Sequence, residues 1–111
     1  MSGHDDHVRL RHMLDHAREA VELVSGLQRH NLTEDRVLSL AVVRLLEIVG
    51  EAAARVSPAF RDAHPEAPWR SIVGMRNRLI HGYDDVDFDI LWTILRQDLP
   101  PLIKTLELIL E

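Results

Sequence analysis

The sequence predicts an all-α protein, an up-down helical bundle of four main helices plus a short helix. Three observations carry that prediction. Apolar residues recur at helical spacing along most of the chain. No stretch shows the alternating pattern of a half-buried strand. The residues between the periodic stretches are those that start or stop helices. A length of 111 residues suits one core, so residues 1–111 are expected to form a single domain. There is no internal repeat and no low-complexity linker.

The elements follow in order. Leu10, Met13, Leu14, Ala17, Val21, Val24 and Leu27 fall on one helix face within residues 5–28. Asp5 and Asp6 suit the positive end of that helix. Gly26 or the polar run Arg29–Asn31 should end it. Thr33 is the expected N-cap of a second helix, with Glu34 and Asp35 in its first turn. That helix should reach about Val56, and from Val37 to Val49 it is apolar nearly all round, which makes it central. Ser57-Pro58 reads as an N-cap followed by proline at the first helical position, opening a short helix to about Ala63. Residues 65–68 form a loop. A fourth helix starts near Pro68 and carries Ile72, Met75 and Leu79 on its core stripe, until Gly82 and the run Asp84-Asp85-Val86-Asp87 break it. The last helix begins near Asp87. Pro100-Pro101 should kink or divide it, because proline lacks a backbone donor. The tail is apolar at Leu102, Ile103, Leu106, Leu108, Ile109 and Leu110. Its face suits either a subunit interface or the protein's own core.

Composition narrows the function class. Hydrophobic content of 46% and charged content of 28% are those of a folded protein. The absence of cysteine excludes disulfides and thiolate metal sites. The N-terminus is charged where a signal peptide needs an apolar run, and no stretch approaches the roughly 18 apolar residues of a membrane span. The expectation is a cytoplasmic protein without membrane contact. Net charge is −5, which argues against a general nucleic-acid coat. Residues 55–83 nevertheless hold five arginines (Arg55, Arg61, Arg70, Arg76, Arg78) against Asp62 and Glu66. A phosphate-bearing ligand would be drawn there, unless the arginines merely solvate helix faces.

That cationic region contains GMRNRLIHGY, residues 74–83. At about 100° per residue, Arg76, Asn77, His81 and Tyr83 share one arc beside the core stripe of the fourth helix. Asn77 and His81 become neighbours one turn apart, and Arg76 and Tyr83 two turns apart. These types suit phosphodiester chemistry. Histidine moves protons near neutral pH. Arginine matches phosphate oxygens and stabilises charge in a transition state. Asparagine can orient a phosphate, a hydroxyl or the imidazole. RNA carries its own nucleophile, the 2′-hydroxyl, so neither metal nor other cofactor is required. Arg78 and Arg70 are the further candidates to bind RNA phosphate. The structural alternative is a helix end, with Gly82 at C′, His81 at the negative dipole end and Tyr83 anchoring the loop.

Other residues are weighed on the same terms. His4, His7 and the pair His12/His16 resemble metal ligands, but without a placed third ligand they read as solvated. Glu47 and Glu51, one turn apart, read as partners for nearby arginines, with Glu51 expected near Arg76 or Arg78. Trp69 and Trp92 read as core or interface anchors rather than base-stacking platforms.

Arg76-Asn77-x3-His81-x-Tyr83 resembles the R-x4-H-x-Y signature of HepT-like proteins, a branch of the HEPN domains. WRSIVGMRNRLIHGY (69–83), RLLEIVGEAA (44–53) and DFDILWTILRQDLPPL (87–102) resemble the family's central, second-helix and C-terminal blocks, in that order. The resemblance implies a HEPN-like all-α homodimer with two copies of the motif facing each other across a cleft. It implies a metal-independent endoribonuclease serving as the toxin of a toxin–antitoxin pair. The implied partner is an MntA-type nucleotidyltransferase antitoxin, which in some pairs adds AMP from ATP to the motif tyrosine. By position, Arg76 and His81 would be catalytic, Asn77 a polar helper and Tyr83 the modification site. The other class is a non-catalytic HEPN module that binds a nucleotidyltransferase or a nucleotide through the same cleft.

Overall fold

A computed structural model describes residues 3–83 and 85–111, with side chains from residue 5 onward. It is all-α, as expected, apart from one small hairpin. Helix α1 (Gly3–Leu23) packs against α3 (Arg36–Ala54) on one side and α8 (Leu99–Leu110) on the other. Their facing stripes, including Leu10, Met13 and Ala17 from α1, Leu46 and Val49 from α3, and Leu99 and Leu106 from α8, are fully buried. Helices α5 (Trp69–Val73) and α6 (Met75–Leu79) lie on α3, and α7 (Phe88–Thr93) packs on α6 and on the short α2 (Arg29–Glu34). No helix among the described residues is long and apolar enough to cross a membrane.

The start of α3 differs from expectation. Thr33 lies inside α2, where its hydroxyl donates to the His30 carbonyl at 2.8 Å. The cap of α3 is Asp35, whose carboxylate accepts from the Leu38 amide at 3.0 Å. A residue on the last turn of one helix cannot also adopt the extended backbone of a cap. Helix α3 is central, yet Val37 and Leu40 stand 79% and 52% exposed, so its first half keeps an open apolar flank.

The Ser57-Pro58 start of α4 (Pro58–Ala63) is as expected, with Ser57 Oγ accepting from the Phe60 amide. Asp6 does more than face a helix dipole. Its buried carboxylate accepts from both the amide and the hydroxyl of Ser57, each at 2.8 Å, and so pins the α3–α4 corner to α1.

The expected fourth helix is two short helices, offset at Gly74 (φ −83°, ψ 3°), and it ends earlier than expected. The backbone turns extended at Ile80 (φ −116°, ψ 121°). Strands β1 (Ile80–His81) and β2 (Asp85–Val86) then pair antiparallel, Ile80 opposite Val86 and His81 opposite Asp85. The Asp87 amide donates to the Leu79 carbonyl at 2.7 Å, closing the hairpin at its base. Gly82 takes φ 81° in the turn; it is not the residue that follows the helix end. The single helical arc expected for the motif is therefore broken. β-Branched Ile80 and Val86 partly pack on the core, and burying them there overrides helical continuation. Asp84 lies outside the described residues.

The last helix starts on Asp87 as expected, but Pro100 and Pro101 do not divide it. They occupy the first turn of α8, where a missing amide hydrogen costs little. A wide π-helical turn over Ile94–Asp98 precedes them, in which the Leu99 amide reaches back five residues to the Ile94 carbonyl. Within that turn, Arg96 donates to the Val24 and Leu27 carbonyls and lies 4.4 Å over the Trp92 ring. The apolar tail packs into the protein's own core through Leu102 and Leu106, with Leu108 turned outward.

Asp6→Ala removes the acceptor for two Ser57 donors at a half-buried corner. It is expected to cost about 1–3 kcal/mol, measured by urea denaturation with an unchanged m-value.

Candidate functional site

The site begins with a glycine. A Cβ added to Gly50 of α3 would stand 3.1 Å from the Ile72 carbonyl oxygen and 3.6 Å from that of Val73. Glycine thus lets the end of α5 lie directly against the central helix. Trp69 anchors the other end of α5: it is buried, and its indole nitrogen donates to the His64 carbonyl at 2.9 Å. Gly74 then re-aims the chain, and Met75 and Leu79 of α6 enter the core.

This places Arg76 beside α3. Its Nε donates to Glu47 Oε2 at 2.7 Å, and its terminal nitrogens keep no partner among the described residues. The Glu47 carboxyl is only 19% exposed, whereas Arg76 remains 50% exposed. Arg44 approaches Glu47 at 3.9 Å and Glu51 at 3.2 Å. Glu47, not Glu51, is therefore the partner of the motif arginine. One helical turn separates the two carboxylates, and the register set by Gly50 selects the one that faces α6.

His81 sits on β1. Its Nε2 lies 3.7 Å from Asp87 Oδ2, an ion pair when the ring is protonated. Asp87 also caps α7, its other oxygen accepting from the Asp89 and Ile90 amides at 3.1 Å each. The Ile90 amide holds the Asp87 carboxyl below its ordinary value; desolvation opposes it, and the Asp89 amide and His81 add to the lowering. Arg78 approaches Asp98 at 3.7 Å, which ties α6 to the π turn. Arg70 is exposed on α5 and forms no ion pair among the described residues. Tyr83, at the hairpin turn, is 97% exposed.

The motif residues line two clefts. Arg76 and Tyr83 share one of about 390 Å³ between α3 and the hairpin. Asn77, Arg78 and His81 share another of about 380 Å³ against α7 and the π turn, with Asp89, Ile90 and Thr93. The two expected neighbour pairs, Arg76 with Tyr83 and Asn77 with His81, each line a common cleft, although the helix expected to unite them ends at Leu79. Sequence reasoning paired Glu47 and Glu51 with nearby arginines but expected Glu51 beside Arg76 or Arg78, and it missed Asp87 as the partner of His81. Asp87 was legible only as a helix start, and no sequence spacing signals a contact between residues 47 and 76.

Of the remaining candidates, the His4 side chain lies outside the described residues. His16 Nδ1 lies 2.6 Å from the His12 carbonyl oxygen, so that ring is engaged with its own helix. No group of three or more His, Asp or Glu among the described residues could hold a metal. Trp92 is half-buried with Arg96 on its face.

Comparison with known proteins now adds to the geometry. A family model described as ribonuclease HepT-like matches residues 13–109. A protein of Methanocaldococcus jannaschii named "Putative RNase MJ1380" is 34% identical over 98% of this chain and 100% of its own length. "Putative RNase TTE0752" of Caldanaerobacter subterraneus is 38% identical over 92% of this chain and 91% of its own. "Probable ribonuclease HepT" of Thermococcus cleftensis is 40% identical over 80% of this chain and 84% of its own. No solved structure matches the chain.

Asp87 generates a pH prediction. A carboxyl held below its ordinary 3.8 contributes stability above that value and loses it as pH falls through the lower folded value. Asp87→Asn should therefore lower the urea midpoint at neutral pH, and the gap from wild type should close as the solution is acidified below 3.8.

Proposed function

We propose, starting from the premise that the chain belongs to the ribonuclease HepT-like family, that it is a metal-independent endoribonuclease acting as the toxin of a toxin–antitoxin pair. The observation that carries this reading is the motif itself in place. Arg76 is gripped at Nε by Glu47 with its terminal nitrogens open, and His81 is backed by Asp87.

The chemistry runs as follows. The 2′-oxygen of a ribose attacks the adjacent phosphorus, its proton passes to a base, and the 5′-oxygen leaves with a proton from an acid. The products are a 2′,3′-cyclic phosphate and a 5′-hydroxyl. His81 serves as general acid or base, a role worth about 10²–10⁴-fold. Asp87 orients its ring and stabilises the imidazolium. Arg76 binds the pentacoordinate phosphate through the nitrogens that Glu47 leaves free. Asn77, on the His81 side, orients the phosphate or the 2′-hydroxyl, and Arg78 and Arg70 hold flanking phosphates. A homodimer with two motif copies face to face would bring both clefts onto one strand.

The inhibitory partner in this reading is an MntA-type nucleotidyltransferase that transfers AMP to Tyr83, whose hydroxyl is open to another protein's active site. AMP there would add bulk and negative charge in the cleft of Arg76. The competing reading is a binding module that uses the same clefts without catalysis.

The test is RNA cleavage by unmodified protein in EDTA, beside folded His81→Ala and Arg76→Ala variants. Wild type is expected to leave 2′,3′-cyclic phosphate ends, with losses of about 10²-fold or more in each variant. An inert wild type without an adduct on Tyr83 would favour the binding module. Products ending only in 3′-hydroxyl would reject the chemistry.

A further inference from the structure

We propose that the groove between α1 and α3 is a phosphate-binding site, separate from both motif clefts, and that on RNA it holds a further backbone phosphate of the strand that Arg76 engages. The RNA occupant rests on the ribonuclease reading; the affinity for phosphate does not.

The groove is lined by Arg9 and His12 of α1, by Ile48, Glu51 and Ala52 of α3, and by Arg55 at the end of α3. Most arginines of the chain reach a carboxylate or a carbonyl, as Arg18, Arg29 and Arg61 do. Among the described residues, Arg9 and Arg55 reach neither. Arg9 is half-buried, and its Nε is enclosed with no acceptor. A covered donor on a charged group calls for a partner that the fold itself does not supply. Because its stem is half-buried, this guanidinium also has less freedom to lose when an anion arrives.

Charge in the groove is unbalanced. Glu51 is the carboxylate that lines it, and Arg44 already holds Glu51 at 3.2 Å from outside. The guanidinium groups of Arg9 and Arg55 are left over, with the His12 ring beside them. These donors come from two helices. A planar carboxylate is satisfied by one guanidinium fork, whereas a tetrahedral phosphate accepts from several directions at once. The volume of about 190 Å³ is too small for a whole nucleotide and suits one phosphate group. The floor, half-buried Ile48 and buried Ala52, is apolar, which strengthens each charged contact above it.

Position links the groove to RNA. Arg44 approaches Glu47, which faces Arg76, and it also holds Glu51 on the α1 side. The helix from Glu47 to Arg55 rises about 12 Å. Along that path the guanidinium groups of Arg76, Arg44, Arg9 and Arg55 stand against the carboxylates of Glu47 and Glu51. A strand with one phosphate at Arg76 crosses Arg44 and sets another between Arg9 and Arg55. Such a cationic track holds a single strand by its backbone and does not read its bases.

The experiment uses the full chain, shown by mass spectrometry to carry no adduct on Tyr83. Inorganic phosphate is titrated while arginine Nε–H signals are followed by NMR. The Arg9 and Arg55 signals are expected to shift together and to saturate. An RNA of about ten nucleotides, 2′-O-methylated throughout so that it cannot be cut, is then bound at several salt concentrations. Arg9→Gln/Arg55→Gln should bind it about fivefold more weakly whatever its sequence, with the slope of log K against log salt reduced by about 0.7, the counterion release of one phosphate. Arg55→Glu, at an exposed position, should show the same loss and serves if the double variant melts lower. Arg11→Gln, exposed on α1 outside the groove, should leave both measurements unchanged. No saturable shift at Arg9 and Arg55 would overturn the site. A shift with unchanged RNA binding would uphold a site for free phosphate and overturn its place on RNA. An equal loss in Arg11→Gln would reduce the effect to general charge and overturn both. RNA held by the groove but never cut by wild type would sink the ribonuclease reading and leave the groove. RNA cut by the double variant at wild-type KM would do the reverse.

Discussion

The contact on which the rest depends is the approach of α5 to α3 at Gly50. Backbone carbonyls of Ile72 and Val73 lie where any side chain would have to sit. That contact sets how deep α5 sits, and through Gly74 it sets where α6 begins. A shift of one methyl group would lift Arg76 away from Glu47, because the arginine reaches its carboxylate across the gap that Gly50 closes. Trp69 and Leu79 secure the same segment by burial, but bulk apolar packing tolerates small displacements better than a 2.7 Å ion pair does.

Electrostatics at the site are arranged in pairs. A region with a formal excess of arginine would repel itself, and acidic residues from outside it take up part of that charge. Glu47 reaches Arg76, Asp98 approaches Arg78, and Asp87 approaches His81. None of these pairs is fully desolvated, so each contributes orientation more than stability. Arg61 is spent differently, donating to the Val56 and Ala54 carbonyls at the end of α3. Such engagement is the part of the solvation alternative that holds.

Much of the architecture was legible in periodicity. The stripes of α1, α3 and α8, the Ser57 cap and the Asp87 start all reflect local rules that tertiary packing did not override. Three things were not legible. Thr33 and Asp35 are both good caps two residues apart, and only the buried position of Leu32 in α2 decides between them. Residues 80–86 lack the length to announce a strand, and their pairing is fixed by where Ile80 and Val86 can be buried. The two Pro residues signalled a break, but the chain absorbs them with a π turn one step upstream, which requires knowing that Ile94 and Leu95 must both face inward. At the site, the sharing of a cleft by Arg76 with Tyr83 and by Asn77 with His81 was legible, but the single arc expected to unite all four was not. The α3 carboxylate that grips Arg76 belongs to packing between distant segments, which a sequence read one residue at a time does not contain.

Arg96 has a consequence for the order of assembly. Its two bonds close loops of 72 and 69 residues, to Val24 and Leu27. Helix α1, meanwhile, takes its neighbours from the middle and the far end of the chain. Closing loops of that size carries an entropic cost before any packing compensates for it. The segment bearing Arg76 and His81 lies between those ends and has little core of its own. It packs on α3 and α7, inside a frame that Arg96 closes between the early and late parts of the chain. The entropic cost of that closure falls on the frame around the segment and not on the segment's own packing against α3.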